Sequence, residues 1–137
     1  MKPEQFIKRY GINEAKKIID KAPNGTTHIH SVTWQNYKQG DSNNYVWGRS
    51  GREGWYLSIY ETLNGMMVLE EIKRLVESVD LVELLGGIDI AKRKVKMAEF
   101  NGFLLISVPV ENGFGDIYAQ KVERAIRDHE SIYGGGE

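Results

Sequence analysis

One phrase occurs twice in this chain and constrains its fold more than any other feature. Residues 6–25 read FIKRYGINEAKKIIDKAPNG, and residues 82–102 read VELLGGIDIAKRKVKMAEFNG. Gly, Ile, Asn or Asp, Ala, Lys and Lys or Arg recur in order, and each copy runs through Asn-Gly into an apolar, strand-like stretch. The encoded unit is helix, glycine stop, second helix, turn and strand, repeated at about 6–34 and 82–110. Glycine just beyond a helix adopts the left-handed conformation without penalty, and an apolar residue after it packs back on the helix. Gly11-Ile12 and Gly87-Ile88 fit that rule, and Asn13 and Asp89 are the residue types that cap a new helix. Ala15, Ile18, Ile19 and Ala22 share one face of the first copy; the second keeps Ala91, Val95 and Ala98 but interrupts the stripe with Lys94.

Between the copies the periodicity changes. The first helices are expected at about 3–10 and 13–21, closed by Pro23-Asn24-Gly25. Residues 26–37 are rich in β-branched and aromatic side chains, and turns at 39–43 and 50–54 separate strands at 44–49 and 55–60. Three strands joined by tight polar turns predict an antiparallel meander. A long helix at 66–85 follows, with Leu69, Ile72, Val76 and Val79 at spacings of three and four. The run FLLISVPV at 103–110 reads as a strand buried on both faces, and Asp116 as the cap of a last helix with a stripe of Tyr118, Val122, Ala125, Ile126, His129 and Tyr133. The reading is α+β: a small antiparallel sheet, the three-stranded meander plus one later strand, packed with about five helices. It takes residues 1–133 as a single domain and 134–137 as a flexible tail.

Bulk properties narrow the function classes. A chain of 137 residues with 41% hydrophobic and 27% charged residues has the composition of a globular domain. Its net charge of -1 supplies no global field toward nucleic acid or membrane. The lack of cysteine excludes disulfides, thiolate metal sites and a cysteine nucleophile. No apolar run is long enough to span a bilayer and no secretory signal opens the sequence, so a cytoplasmic location is expected.

Four features could carry chemistry. The first is the ring-rich meander: Trp34, Tyr37, Tyr45, Trp47, Trp55, Tyr56 and Tyr60. Alternation puts Tyr45 with Trp47 on one face and Tyr56, Ser58 and Tyr60 together on another. Small sheets use aromatics as core, which is the favored reading, but a sheet face showing several rings, or the hairpin tips around Tyr45, Trp47, Trp55 and Tyr56, would bind a partner chain or stack bases or sugars. The second is the basic run Lys92, Arg93, Lys94 and Lys96 on the second repeated helix, for which a solvated face is the favored reading and contact with nucleic-acid phosphates the alternative. Against nucleic acid stand Glu70, Glu71, Glu77, Asp80 and Glu83, which offset the field. The third is His28-Ile29-His30, two imidazoles on one side of a strand, which would need His129 or a distant carboxylate to complete a metal site. Ordinary strand histidines are the favoured reading, so no metal site is assigned. The fourth is the 66–85 stripe, which is core first and a homodimer seam second. No nucleophile–base pair, P-loop, dinucleotide fingerprint or carboxylate pair stands out, so a catalytic role and a cofactor are not expected.

A resemblance adds to this. AKKIIDKAPNGTTHIH, YKQGDSNNYVWGRSGREGWYLS, RLVESVDLVELLGGIDIAKRKV and the ending ESIYGGGE resemble a diffuse group of small accessory proteins of lambdoid phages and enterobacterial prophages. That group shares an opening FI…G…A helix pair, an "APxGATH" turn and a "YVWxGxxW" hairpin. The pattern covers about the first two-thirds of the chain and its extreme end. Here the turn carries Thr26 in place of the usual alanine, and the hairpin from Tyr45 to Trp55 has a longer tip. The motifs are structural and bring no catalytic residues. The resemblance implies a phage or prophage accessory protein that binds a host or phage protein without catalysis, through Tyr45, Trp47, Trp55 and Tyr56. The alternative is a nucleic-acid-binding regulator using the basic helix.

Overall fold

A computed structural model of the chain describes residues 1–48 and 51–134. Arg49 and Ser50, where the second expected strand and its turn meet, lie outside the described residues, as does the expected tail beyond Gly134. Among the described residues the fold is α+β, with five helices, a five-stranded antiparallel sheet and a separate two-stranded one. The chain gathers into two compact units, Met1–Arg74 and Leu75–Glu137.

The first unit opens with α1 (Pro3–Tyr10) and α2 (Ile12–Lys21), followed by β1 (His28–Ile29), β2 (Asn36–Gln39), β3 (Asn44–Trp47), β4 (Trp55–Leu57) and β5 (Met67–Val68). The strands lie in the order β4-β3-β2-β1-β5. The stretch 26–37 is not one strand but two, β1 and β2, which fold back on each other across a turn at 31–33 and pair antiparallel, and β2-β3-β4 form the expected meander. Within 66–85, Met67-Val68 is drawn into the sheet beside β1, and the helix itself, α3 (Leu69–Leu84), starts after them. Phe6, Ile7, Ala15, Ile29, Met67 and Ile72 form the center of this unit's core.

The second unit takes the rest of α3, then α4 (Ile88–Asn101), β6 (Leu105–Val110), β7 (Gly113–Tyr118) and α5 (Ala119–Tyr133). Val82, Leu85, Ala91, Val95, Ile106 and Val122 lead its core. Strand β6 does not join the meander's sheet; it pairs with β7 across the Glu111-Asn112 turn. Nor is it buried on both faces: Ile106 and Val108 are buried, while Leu105, Ser107, Pro109 and Val110 are exposed. Asp116 and Tyr118 belong to β7, so Asp116 does not cap α5.

The repeated phrase folds twice into one corner. Gly11 and Gly87 have φ/ψ of 94/160° and 109/173°, a region L side chains rarely enter, and each stands at the N-cap of its second helix. Their carbonyls accept from the N–H of Ala15 at 3.3 Å and Ala91 at 2.9 Å, and both alanines are fully buried. Glycine therefore occupies the cap position that Asn13 and Asp89 were expected to hold; those two sit one residue inside the helix and make no capping bond. The copies differ in how the preceding helix ends. The Gly11 N–H donates to Ile7 O, four residues back, whereas the Gly87 N–H reaches five residues back to Val82 O, the long bond that accompanies the extra Gly86.

Candidate functional site

The cross-strand register divides the aromatic meander into separate sets. Paired residues share a sheet face, and neighbors along a strand alternate between faces. Lys38 pairs with Tyr45, Tyr45 with Leu57, and Trp47 with Trp55, so these residues share one face. Tyr37 pairs with Val46 and Val46 with Tyr56, so Tyr56 lies on the opposite face from Tyr45, Trp47 and Trp55. On the first face the Trp47 and Trp55 rings meet edge-on at 5.2 Å, and Lys38 Nζ stands 5.1 Å from both the Tyr45 and Trp55 rings. The Trp55 indole N–H donates to Asn24 O at 3.3 Å, fastening the α2–β1 turn to β4. On the second face Tyr60 packs edge-on against Tyr37 at 5.8 Å, and Asn44 Nδ2 donates to Tyr60 O and Glu61 O. Trp34 leaves the meander altogether and packs on Phe6 and Tyr10 of α1.

The histidine pair is used locally. Strand β1 ends at Ile29, so His30 turns out of the strand and the alternation that would align it with His28 is lost. Its Nδ1 accepts from the backbone N–H groups of Val32 and Thr33 at 3.1 and 3.2 Å. His28 Nδ1 lies 2.8 Å from the Thr27 hydroxyl, which also accepts from the Gln39 N–H. Among the described residues no three His, Asp or Glu side chains gather as metal ligands.

The basic run is spread around α4. At about 100° per residue, Lys92 and Lys94 flank the buried Ala91-Val95-Ala98 stripe on opposite sides, and Arg93 points away from it. Lys92 also pairs with Glu130 of α5 at 3.7 Å. Lys96 falls between Lys92 and Arg93, so these three share one outer face within an arc of about 100°, and Lys94 stands apart on the other side of the stripe. Nearby, Glu99 shares a hydrogen bond with Glu123, which holds its carboxyl above the usual range.

A site the sequence reading missed lies on the second unit. Positions 97 and 100 fall off the buried stripe, so Met97 and Phe100 project from the outer side of α4, and the Phe100 ring is 91% exposed. Phe103 and Leu104, ahead of β6, are exposed as well, and Leu104 is 76% exposed. The outward face of the hairpin adds Leu105, Phe114 (79%) and Tyr118 (68%). Between α4 and β6 opens an apolar cavity of about 220 Å³ lined by Lys94, Met97, Asn101, Phe103, Leu105 and Ser107 among others. Isolated apolar side chains on a surface need no explanation, but contiguous ones mark binding surfaces. The signal was available in the sequence: once Ala91, Val95 and Ala98 define the stripe, Met97 and Phe100 have no core to enter.

Two polar features complete the picture. The buried Ser78 hydroxyl of α3 donates to Asp128 Oδ2 of α5 at 2.6 Å. Burial lowers the affinity of His129 for a proton, against the raising influence of Glu83 and Glu130 and with a smaller lowering one from Lys92. Burial lowers that of His28 in the same way, against the pull of Glu71. An imidazole whose folded affinity is depressed binds fewer protons folded than unfolded, so stability is complete above the unfolded value and falls as pH drops below it. The denaturant midpoint should therefore decrease as pH is lowered from about 7.5 through about 6.5 to 5.5. The double variant His28→Gln/His129→Gln should flatten that slope; an unchanged slope would assign the acid sensitivity elsewhere.

Compared with protein-family models, curated proteins and solved structures, the chain matches none. Among the described residues no helix is long and apolar enough to cross a membrane.

Proposed function

We propose that this chain is a non-catalytic protein-binding module, and that its contact surface is centered on Met97, Phe100, Phe103 and Leu104. The observation that carries the reading is Phe100, a ring held almost wholly in solvent on a helix whose core stripe is already complete. Exposed rings on a regular helix are the anchors that protein interfaces bury at their centers. The cavity beside them offers an apolar recess with Lys94 at its margin, able to receive an aliphatic or aromatic side chain of the partner. The meander is a weaker contact surface, because its candidate residues divide between two faces and Trp55 is already bonded to Asn24. The resemblance to phage and prophage accessory proteins favors a host or phage protein as partner and the bacterial cytoplasm as the place of action.

Affinity capture of the tagged protein from a bacterial lysate, with and without nuclease, tests this reading. A partner retained after nuclease treatment and lost with Phe100→Glu is the expected result. Loss of that single anchor should weaken binding by about 2 kcal/mol, roughly thirtyfold. Recovery abolished by nuclease, or by Lys92→Ala/Arg93→Ala/Lys96→Ala with Phe100→Glu unaffected, would instead assign the binding to nucleic acid and the basic helix.

A further inference from the structure

The β6–β7 hairpin has one closed edge and one open edge, and the hydrogen-bond pattern says which is which. Directly opposite residues in an antiparallel pair alternate between bonded and non-bonded positions. Pro109 lacks an N–H and pairs with Phe114, so that pair is non-bonded, and so are Ser107–Asp116 and Leu105–Tyr118. The bond from Ala119 N to Leu104 O, at 2.8 Å, fits the same alternation. The N–H and C=O groups of Phe114, Asp116 and Tyr118 consequently point away from β6. Among the described residues β7 pairs with β6 alone. The outer edge of β6 is interrupted by Pro109, a residue that blunts strand edges against further pairing. The edge of β7 carries no such block.

We infer that β7 pairs with β7 of a second copy of this chain, antiparallel about a two-fold axis at Asp116, joining two hairpins into one four-stranded sheet. Two observations favor a second copy over an unrelated strand. Closure of the β6 edge by Pro109 stops growth at one added strand, which is what a closed two-fold dimer needs and a fiber does not. The symmetric register sets Phe114 against Tyr118 of the other copy on both sides of the axis, with Leu105 beside each Tyr118, so the exposed rings cover one another. At the axis the two Asp116 carboxylates oppose each other, which weakens the association and keeps it reversible. The inference does not depend on the partner-binding surface around Phe100: a monomer that still captures a partner would overturn the dimer and leave that reading standing.

Sedimentation equilibrium of the full chain, from roughly micromolar to hundreds of micromolar, tests the pairing. The expected result is a reversible monomer–dimer equilibrium. Asp116→Asn removes the repulsion at the axis and should tighten the dimer roughly fivefold. Asp116→Pro deletes the edge donor at the axis without touching a bond to β6, and should leave a folded monomer. Phe114→Lys alters an exposed side chain only, so it carries the test if the proline variant fails to fold, and it should weaken the dimer at least roughly tenfold. Wild-type protein that stays monomeric, assembly beyond a dimer, or an Asp116→Pro variant that dimerizes like wild type would overturn the pairing.

Discussion

Phe6→Ala is expected to remove a large part of the stability of the first unit. Phe6 is fully buried and holds two other rings, Tyr10 at 4.8 Å and Trp34 edge-on at 5.6 Å. Helix α1 has eight residues, too few to persist alone, so its place depends on the apolar contacts of Phe6 and Ile7. Truncating a buried phenylalanine to alanine costs about 3–5 kcal/mol, against a total of about 5–15 kcal/mol for a typical domain. A second consequence follows from Trp34, the one non-glycine residue with positive φ (62°) among those described. Such a backbone persists where its surroundings over-determine it. Here they are the Phe6 and Tyr10 rings and the bond from Trp34 N to His30 O. Phe6→Ala should therefore release the 30–35 loop along with α1. Chemical denaturation should show the lowered midpoint, and tryptophan fluorescence at low denaturant a red shift ahead of global unfolding. Tyr10→Ala, at a half-exposed ring, should cost much less. Equal costs for the two would mean that general surface burial, rather than the Phe6 anchor, secures the helix.

The repeated corner was legible because it is encoded locally. A glycine, a branched residue after it and an alanine four positions on fix a backbone turn wherever they occur, and both copies adopt it. The cap assignment failed for a local reason too: glycine at positive φ leaves no cap position for Asn13 or Asp89 to fill. The 113–118 strand was misread because Asp116 ahead of an amphipathic run resembles an N-cap. Asn112-Gly113 between apolar runs was the competing signal, and it marks a hairpin. Parity along a strand can be read from sequence, but register between strands cannot. Parity already sets Trp55 and Tyr56 on opposite faces; only the pairing of Val46 with Tyr56 and Trp47 with Trp55 reveals that Trp55, and not Tyr56, joins Tyr45 and Trp47. The exposed surface of α4 is legible in the sequence, because the Ala91-Val95-Ala98 stripe leaves Phe100 on the opposite side of the helix.

Ser78→Ala is the second substitution with a large expected effect, and nothing in the sequence announces it. Ser78 lies in a helix stripe between Leu75 and Val82, and its partner Asp128 is fifty residues further on. Both are more than nine-tenths buried. A carboxylate in such surroundings needs its hydrogen bonds, and removing one donor leaves part of its accepting capacity unfilled. Loss of a bond to a charged group costs about 1.5–3 kcal/mol, and Ser78→Ala should fall in that range. Asp128→Asn keeps an acceptor of the same shape and relieves the buried charge, so it should be milder. The double variant Ser78→Ala/Asp128→Leu replaces the whole polar pair with apolar groups, a change that is often neutral or stabilizing for buried ion pairs. A double-mutant cycle by denaturant titration reads the coupling directly. Costs that simply add would show that the two side chains are independent. Strong coupling would identify the pair as a specific buried link between α3 and α5, held by the Ser78–Asp128 hydrogen bond.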